Sequence, residues 1–205
     1  MAEDRPMPNA ALRVLFEAIE EVMGKNGVKA ILNAGGLQRY IDNYPPGNTE
    51  MGVTFSEYGR AEQAVEDFYG LRGARAMLIR IGRSLFQYGL KEQPGLRSLG
   101  GLALKALPMS AAMKLVLDNI AKAGVKDINQ PVHLEEDAEN FYLVAEECMC
   151  RWRGSKQKPC CFVTVGVLHE ALHWATGHSF DIEEIECIAV GNPVCRYRIP
   201  KKPKD

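Results

Sequence analysis

The sequence predicts an α+β fold, with a helical N-terminal two thirds packed against a C-terminal antiparallel sheet. Three observations lead there. Apolar residues recur at helical spacing from Leu12 to Ile120, and the period shortens towards two from Val132 onward. Near the C-terminus, Gly191-Asn192-Pro193 separates two runs with strand character. Helices followed by strands around one further helix is the order of an α+β domain, and 205 residues suit a single domain over 1–205.

Each element has its own local reason. Asn9 is placed to cap a helix carrying Leu12, Leu15, Phe16, Ile19, Val22 and Met23, closed by Gly24. A shorter helix around Val28, Ile31 and Leu32 ends at Gly35-Gly36. Residues 42–53 read as loop, because two prolines remove donors and Gly and Asn favour turns. Thr54 and Glu57 have capping-box spacing ahead of a helix with Ala61, Val65 and Phe68. Met77, Leu78, Ile81, Leu85 and Tyr88 form the next stripe. Leu96 to Leu107 is apolar but glycine-rich, and Met109 to Ala123 is a clear helix. Val132 with Leu134, and Phe141 to Ala145, read as strands. Arg151 to Pro159 is basic and turn-like, Cys161 to Thr176 is a helix closed by Gly177, and Phe180–Val190 and Val194–Ile199 are two strands. The Lys201–Asp205 tail is expected to be disordered.

Composition narrows the function classes. Lys plus Arg number 25 against 26 Asp plus Glu, a balance that argues against non-specific nucleic-acid binding. No apolar run approaches the ~20 residues of a membrane span. The start, Met-Ala-Glu-Asp-Arg-Pro, lacks the apolar stretch of a signal peptide, so a cytoplasmic protein is expected. All six cysteines lie between Cys148 and Cys195. In a reducing compartment such a group points to a metal site or buried thiols rather than a disulfide frame.

Two constellations carry chemistry. In a hairpin centred on Gly191, Cys187 faces Cys195, and cross-strand neighbours are close enough for both sulfurs to reach one ion. Glu184 joins them only if a bulge or strand end turns it to the same face, and Cys161 supplies a third thiolate from the helix start. Three thiolates and a carboxylate make a closed tetrahedral set of the structural-zinc kind; the alternative is buried thiols used as packing. The rival is His169-Glu170-Ala171-Leu172-His173, where His169 and His173 share a helix face as an alternative metal pair and Glu170 is placed as a general base. It has no third ligand in the usual downstream register. Cys148-Met149-Cys150 reads as a strand with both thiols packed in the core, and Cys160 as packing or a free thiol. Arg72, Arg75, Arg80 and Arg83 read as a solvated helix face. Neither a phosphate loop nor a Gly-x-Ser-x-Gly elbow is present.

Several spaced residues resemble a known family. Pro159-Cys160-Cys161-Phe162, Gly166-Val167-Leu168, Gly177, Glu184-Ile185-Glu186-Cys187, Gly191 and Cys195-Arg196-Tyr197-Arg198-Ile199 resemble the 4-vinyl reductase, or hydrocarbon-binding, domain family over residues 138–199. The resemblance implies a fold related to TRAPP-complex subunits, often dimeric. It implies small apolar or aromatic ligands: phenols in sensors of transcriptional activators, and tetrapyrroles in proteins linked to bacteriochlorophyll synthesis. The three-Cys, one-Glu zinc set of aromatic-sensing members falls on Cys161, Glu184, Cys187 and Cys195. His169 and Glu170 stand where the family has a small residue.

The expected function is a sensor or carrier for a hydrocarbon, aromatic or tetrapyrrole ligand, with structural zinc and no catalytic residues. A homodimer and a protein partner for signalling go with it, and a pocket among Phe68, Met77, Leu85 or Met113. The alternatives are a zinc-dependent hydrolase using His169, Glu170 and His173, or an accessory protein of (bacterio)chlorophyll and tetrapyrrole biosynthesis.

Overall fold

Two glycines break the helical part where the apolar spacing does. In the computed structural model, which describes residues 3–91, 104 and 106–204, helix α1 (Asn9–Ala34) is interrupted at Gly24 and α2 (Phe55–Lys91) at Gly70. Both adopt positive φ (74° and 67°), a backbone state that residues with a Cβ rarely take. The N-terminal ends of the two helices are tied by β1 (Pro6–Met7) pairing antiparallel with β2 (Val53–Thr54). At the start of α2 the Thr54 N–H donates to Glu57 Oε2 at 3.1 Å, the reciprocal half of the expected capping box. Asn9 departs from expectation: Pro8 occupies the cap, and the buried Asn9 amide instead donates to Asn48 Oδ1 at 2.9 Å, fastening the 42–53 loop.

Leu12, Leu15, Phe16 and Ile19 of α1 pack against Phe55, Ala61, Val65 and Ile81 of α2 in one apolar core. Helix α3 (Met109–Ala123) and helix α4 (Phe162–Thr176) cover the inner face of a four-stranded sheet in a second. Strands β3 (Val132–Glu136), β4 (Asn140–Ala145), β5 (Glu183–Glu186) and β6 (Cys195–Pro200) lie in the order β3-β4-β6-β5, antiparallel throughout. Burial alternates along β6, so Cys195, Tyr197 and Ile199 face inward opposite Ala145, Leu143 and Phe141. Arg196 and Arg198 face outward and pair with Glu135 and Glu183 at 2.6 and 2.8 Å.

The two cores meet where α4 crosses the second half of α2. A Cβ on Gly166 would fall 2.2 Å from the Ile79 carbonyl oxygen, and one on Gly82 would fall 2.0 Å from that of Val163. Only hydrogen at both positions allows this backbone approach, which holds the start of α4 over the sheet.

The tail differs from the disorder expected of it. Lys201 N–H donates to Glu139 O at 2.8 Å and Lys204 N–H to Ser179 O at 2.7 Å, so backbone pairing outweighs the polar composition. The Leu96–Leu107 segment lies, apart from residues 104, 106 and 107, outside the described residues. No described helix is long and apolar enough to cross a membrane.

Candidate metal centre

One end of the sheet gathers the cysteines. The C-terminal ends of β4 and β5 and the start of β6 lie together, because both outer neighbours run antiparallel to β6. Cys195 opens β6, Cys187 follows β5, and Cys148 and Cys150 lie in the chain leaving β4. Cys161 stands at the N-terminal cap of α4, where the positive end of the helix dipole favours a thiolate. The six cysteines are all reduced and buried.

The donor atoms of Cys161, Glu184, Cys187 and Cys195 lie within 4.8 Å of one another. Cys161 Sγ is 4.0 Å from Cys187 Sγ and 3.9 Å from Cys195 Sγ. A tetrahedral ion with metal–sulfur bonds of 2.3 Å separates its sulfurs by about 3.8 Å. The β5–β6 register shifts between Glu184 and Glu186, a bulge that brings Glu184 round to the thiol side.

Glu184 is only 6% exposed, and its two oxygens differ. Oε2 accepts the Cys161 N–H at 2.8 Å, whereas Oε1 is buried with no hydrogen-bond partner. Burial, and then the Cys187 sulfur, push the carboxyl up to about 9. An unpartnered carboxylate oxygen facing three thiols fits a cation, which would stabilise its charged form. The thiols themselves divide. Hydrogen bonding with Cys150 shifts Cys148 and Cys187 below the usual thiol range, while hydrogen bonding with Cys148 shifts Cys161, Cys150 and Cys195 above it.

Cys148 and Cys150 are nearer the centre than the sequence suggests. They lie not on a strand but on an extended residue entering a 3-10 turn (Met149–Trp152). Cys148 Sγ is 3.6 Å from Cys161 Sγ, and Cys150 Sγ is 3.5 Å from Cys195 Sγ. Cys160 is buried but does not join the group of Cys161, Glu184, Cys187 and Cys195. Behind the centre the fully covered Arg153 side chain donates to the Cys160 carbonyl at 2.6 Å and to Glu66 at 2.6 Å.

The histidine constellation is not assembled in this way. His169 is half-buried and held below its usual range by burial and then by Arg83, and His173 is exposed. Glu170 accepts a hydrogen bond from Gln87 Nε2 at 2.6 Å. Among the described residues the pair joins no group of three or more close donors. Arg72, Arg75, Arg80 and Arg83 are exposed. The four expected pocket residues share no described cavity: Phe68 is 60% exposed, while Met113 is fully buried in the second core.

No protein-family profile matches the chain, and neither does any curated protein. Solved structures do match. The chain is similar to the Fe(II) unliganded H-NOX protein from K. algicida, with 15% identity, a TM-score of 0.62, and coverage of 97% of this chain and 98% of that one. It is similar to an oxygen-binding H-NOX domain related to soluble guanylate cyclases, with 11% identity, a TM-score of 0.57 and 93% of each chain covered. It is also similar to the phenol-responsive sensory domain of the transcription activator PoxR, with 17% identity, a TM-score of 0.51, and 75% and 78% covered. At these identities the likeness is one of fold, and the fold is of the H-NOX kind.

These comparisons overturn the resemblance to the 4-vinyl reductase family, and they do not confirm the TRAPP-subunit fold that it implied. The resemblance covers residues 138–199, whereas the H-NOX structures match the chain almost end to end, helical part included. Several of the residues that carried it have local structural roles here. Gly166 permits the helix crossing, and Gly177 and Gly191 take positive φ at turn positions.

One matching structure probes the function of heme distortion in the H-NOX family. Neither of two cavities formed by the described residues fits a haem. The larger cavity, about 450 Å³, is an open groove lined by charged side chains, and its Tyr44 hydroxyl is committed to Glu20 at 2.7 Å. In the smaller, about 230 Å³, the exposed His133 ring pairs with Glu135 and Glu146. Neither joins an apolar lining to a buried axial donor.

Proposed function

We propose that this chain is a small-molecule-responsive sensory domain of H-NOX-like fold, its sheet end fastened to α4 by a structural zinc held by Cys161, Glu184, Cys187 and Cys195. The orphaned, buried Glu184 Oε1 beside three thiols is the observation that carries the metal. A closed four-ligand set leaves no position for water or substrate, so the metal's role is to hold the fold. The Cys161–Cys187 and Cys161–Cys195 contacts join α4 to both strands of the hairpin, so movement of either is felt by the other.

The ligand class follows the sensory reading. An apolar or aromatic small molecule of the phenol kind is supported by the likeness to a phenol-responsive domain over 75% of the chain. Calorimetric titration of the zinc-loaded protein with phenol and alkylphenols is the test. Saturable binding is expected, and a flat titration across the series would overturn the ligand class. The metal is tested separately. Cys187→Ala or chelation is expected to lower the melting temperature by about 10 °C, since ligand loss removes folding free energy. An unchanged melting temperature in both would count against the staple.

A further inference from the structure

The centre holds more donors than one tetrahedral ion can use. Besides the set containing Glu184, a second set, Cys148, Cys150, Cys161 and Cys195, also has every donor atom within 4.8 Å of the others, all of them buried. The two sets share Cys161 and Cys195, whose sulfurs are 3.9 Å apart. We propose that the centre is binuclear, two divalent ions bridged by the thiolates of Cys161 and Cys195, with Cys148 and Cys150 completing one ion and Cys187 and Glu184 the other. The proposal rests on the metal reading above and adds a site to it.

The geometry favours a shared edge. Two tetrahedra joined along an edge need a bridging sulfur pair about 3.8 Å apart for metal–sulfur bonds of 2.3 Å. The Cys161–Cys195 distance meets this, and the outer contacts, 3.6 Å for Cys148–Cys161, 3.5 Å for Cys150–Cys195 and 4.0 Å for Cys161–Cys187, are close to the same edge length. A thiolate keeps lone pairs after binding one ion, so each bridging sulfur can bind a second without new residues. Five thiolates and a carboxylate carry six negative charges, of which two divalent ions neutralise four. The Ile188 N–H, 3.4 Å from Cys195 Sγ, and the α4 N-terminus at Cys161 place positive dipole ends on the two bridging sulfurs. Cys150 and Cys187, 3.8 Å apart here, belong to different ions in this arrangement, so filling both positions moves them apart.

Metal-to-protein stoichiometry tests this on the full chain. Protein reconstituted with zinc is expected to hold two ions per chain, falling to one in the Cys148→Ser/Cys150→Ser double variant. One ion in the wild type would overturn the second position while leaving the staple, and none would overturn both. Iron with acid-labile sulfide would also overturn it. Should the double variant not fold, cobalt(II) titration of the wild type decides. The thiolate-to-cobalt absorption should rise to a break at two equivalents. The high-spin paramagnetic signal should grow to one equivalent and decline towards two, because bridging sulfurs couple the spins. A break at one equivalent, or a paramagnetic signal that rises steadily to two, would overturn the bridge.

Discussion

Arg153 is the residue on which the support of the centre turns. Its guanidinium is enclosed between Glu62 and Glu66 of α2 and the Cys160 carbonyl, and Lys156 reaches the other Glu66 oxygen at 2.7 Å. Removing one member of such a buried group leaves charges uncompensated, so Arg153→Met is expected to cost about 3–5 kcal/mol by urea denaturation. Glu62 gives a pH signature. Burial outweighs Arg153 and pushes its carboxyl from an ordinary 4.5 to about 7. Between those values the folded chain holds a proton the unfolded chain has released, so stability is lost as pH rises through that window. Glu62→Gln is expected to flatten this part of the profile, as read from denaturation midpoints at pH 5 and 7. Equal slopes in the two proteins would contradict the assignment. At this scale Cys161, Cys187 and Cys195 were legible, because hairpin pairing and a helix start are local patterns. Cys148 and Cys150 were not: their place depends on how the chain turns after β4, and an alternating Cys-Met-Cys reads equally well as strand packing. Arg153 stood in the sequence as one charge of a basic turn, since its partners are 91 and 87 positions away.

Two elements set the geometry of the centre, the bulged β5 and the crossing of α4 over α2. The crossing admits a direct test. Gly166→Ala would drive a methyl group against the Ile79 carbonyl, and a loss of at least 1–3 kcal/mol is expected, roughly the cost of overpacking a core. Gly89→Ala, near the end of α2 with nothing within 4 Å of the added carbon, is expected to be neutral or stabilising by up to about 1 kcal/mol. Similar losses in both would show that the crossing does not depend on close approach. Helix spans were largely legible, and the breaks at Gly24 and Gly70 fall between stripes the spacing separates. The β5–β6 hairpin was legible as a pair with a turn. The bulge could only be stated as a condition for Glu184 to join the thiols, because sequence spacing does not say where a ladder slips.

Across the whole molecule, helices preceding an antiparallel sheet could be read from the change in hydrophobic period. The family could not. The spaced glycines and cysteines of the C-terminal third sit at a helix crossing, two turns and a sheet end. The helical part, which offers no motif, is matched by H-NOX structures through its shape. In the absence of a described cavity with a buried axial donor, protein incubated with haemin and desalted is expected to show no haem absorption band. A stoichiometric band would contradict that reading of the cavities.

The central claim is that sulfur, not imidazole, holds the metal. X-ray absorption at the zinc edge on the purified full chain tests it most directly. The expected result is a first shell dominated by sulfur at about 2.3 Å, with a minor oxygen contribution from Glu184. A shell of nitrogen and oxygen alone at about 2.0–2.1 Å would contradict it, and would point to His169 and His173.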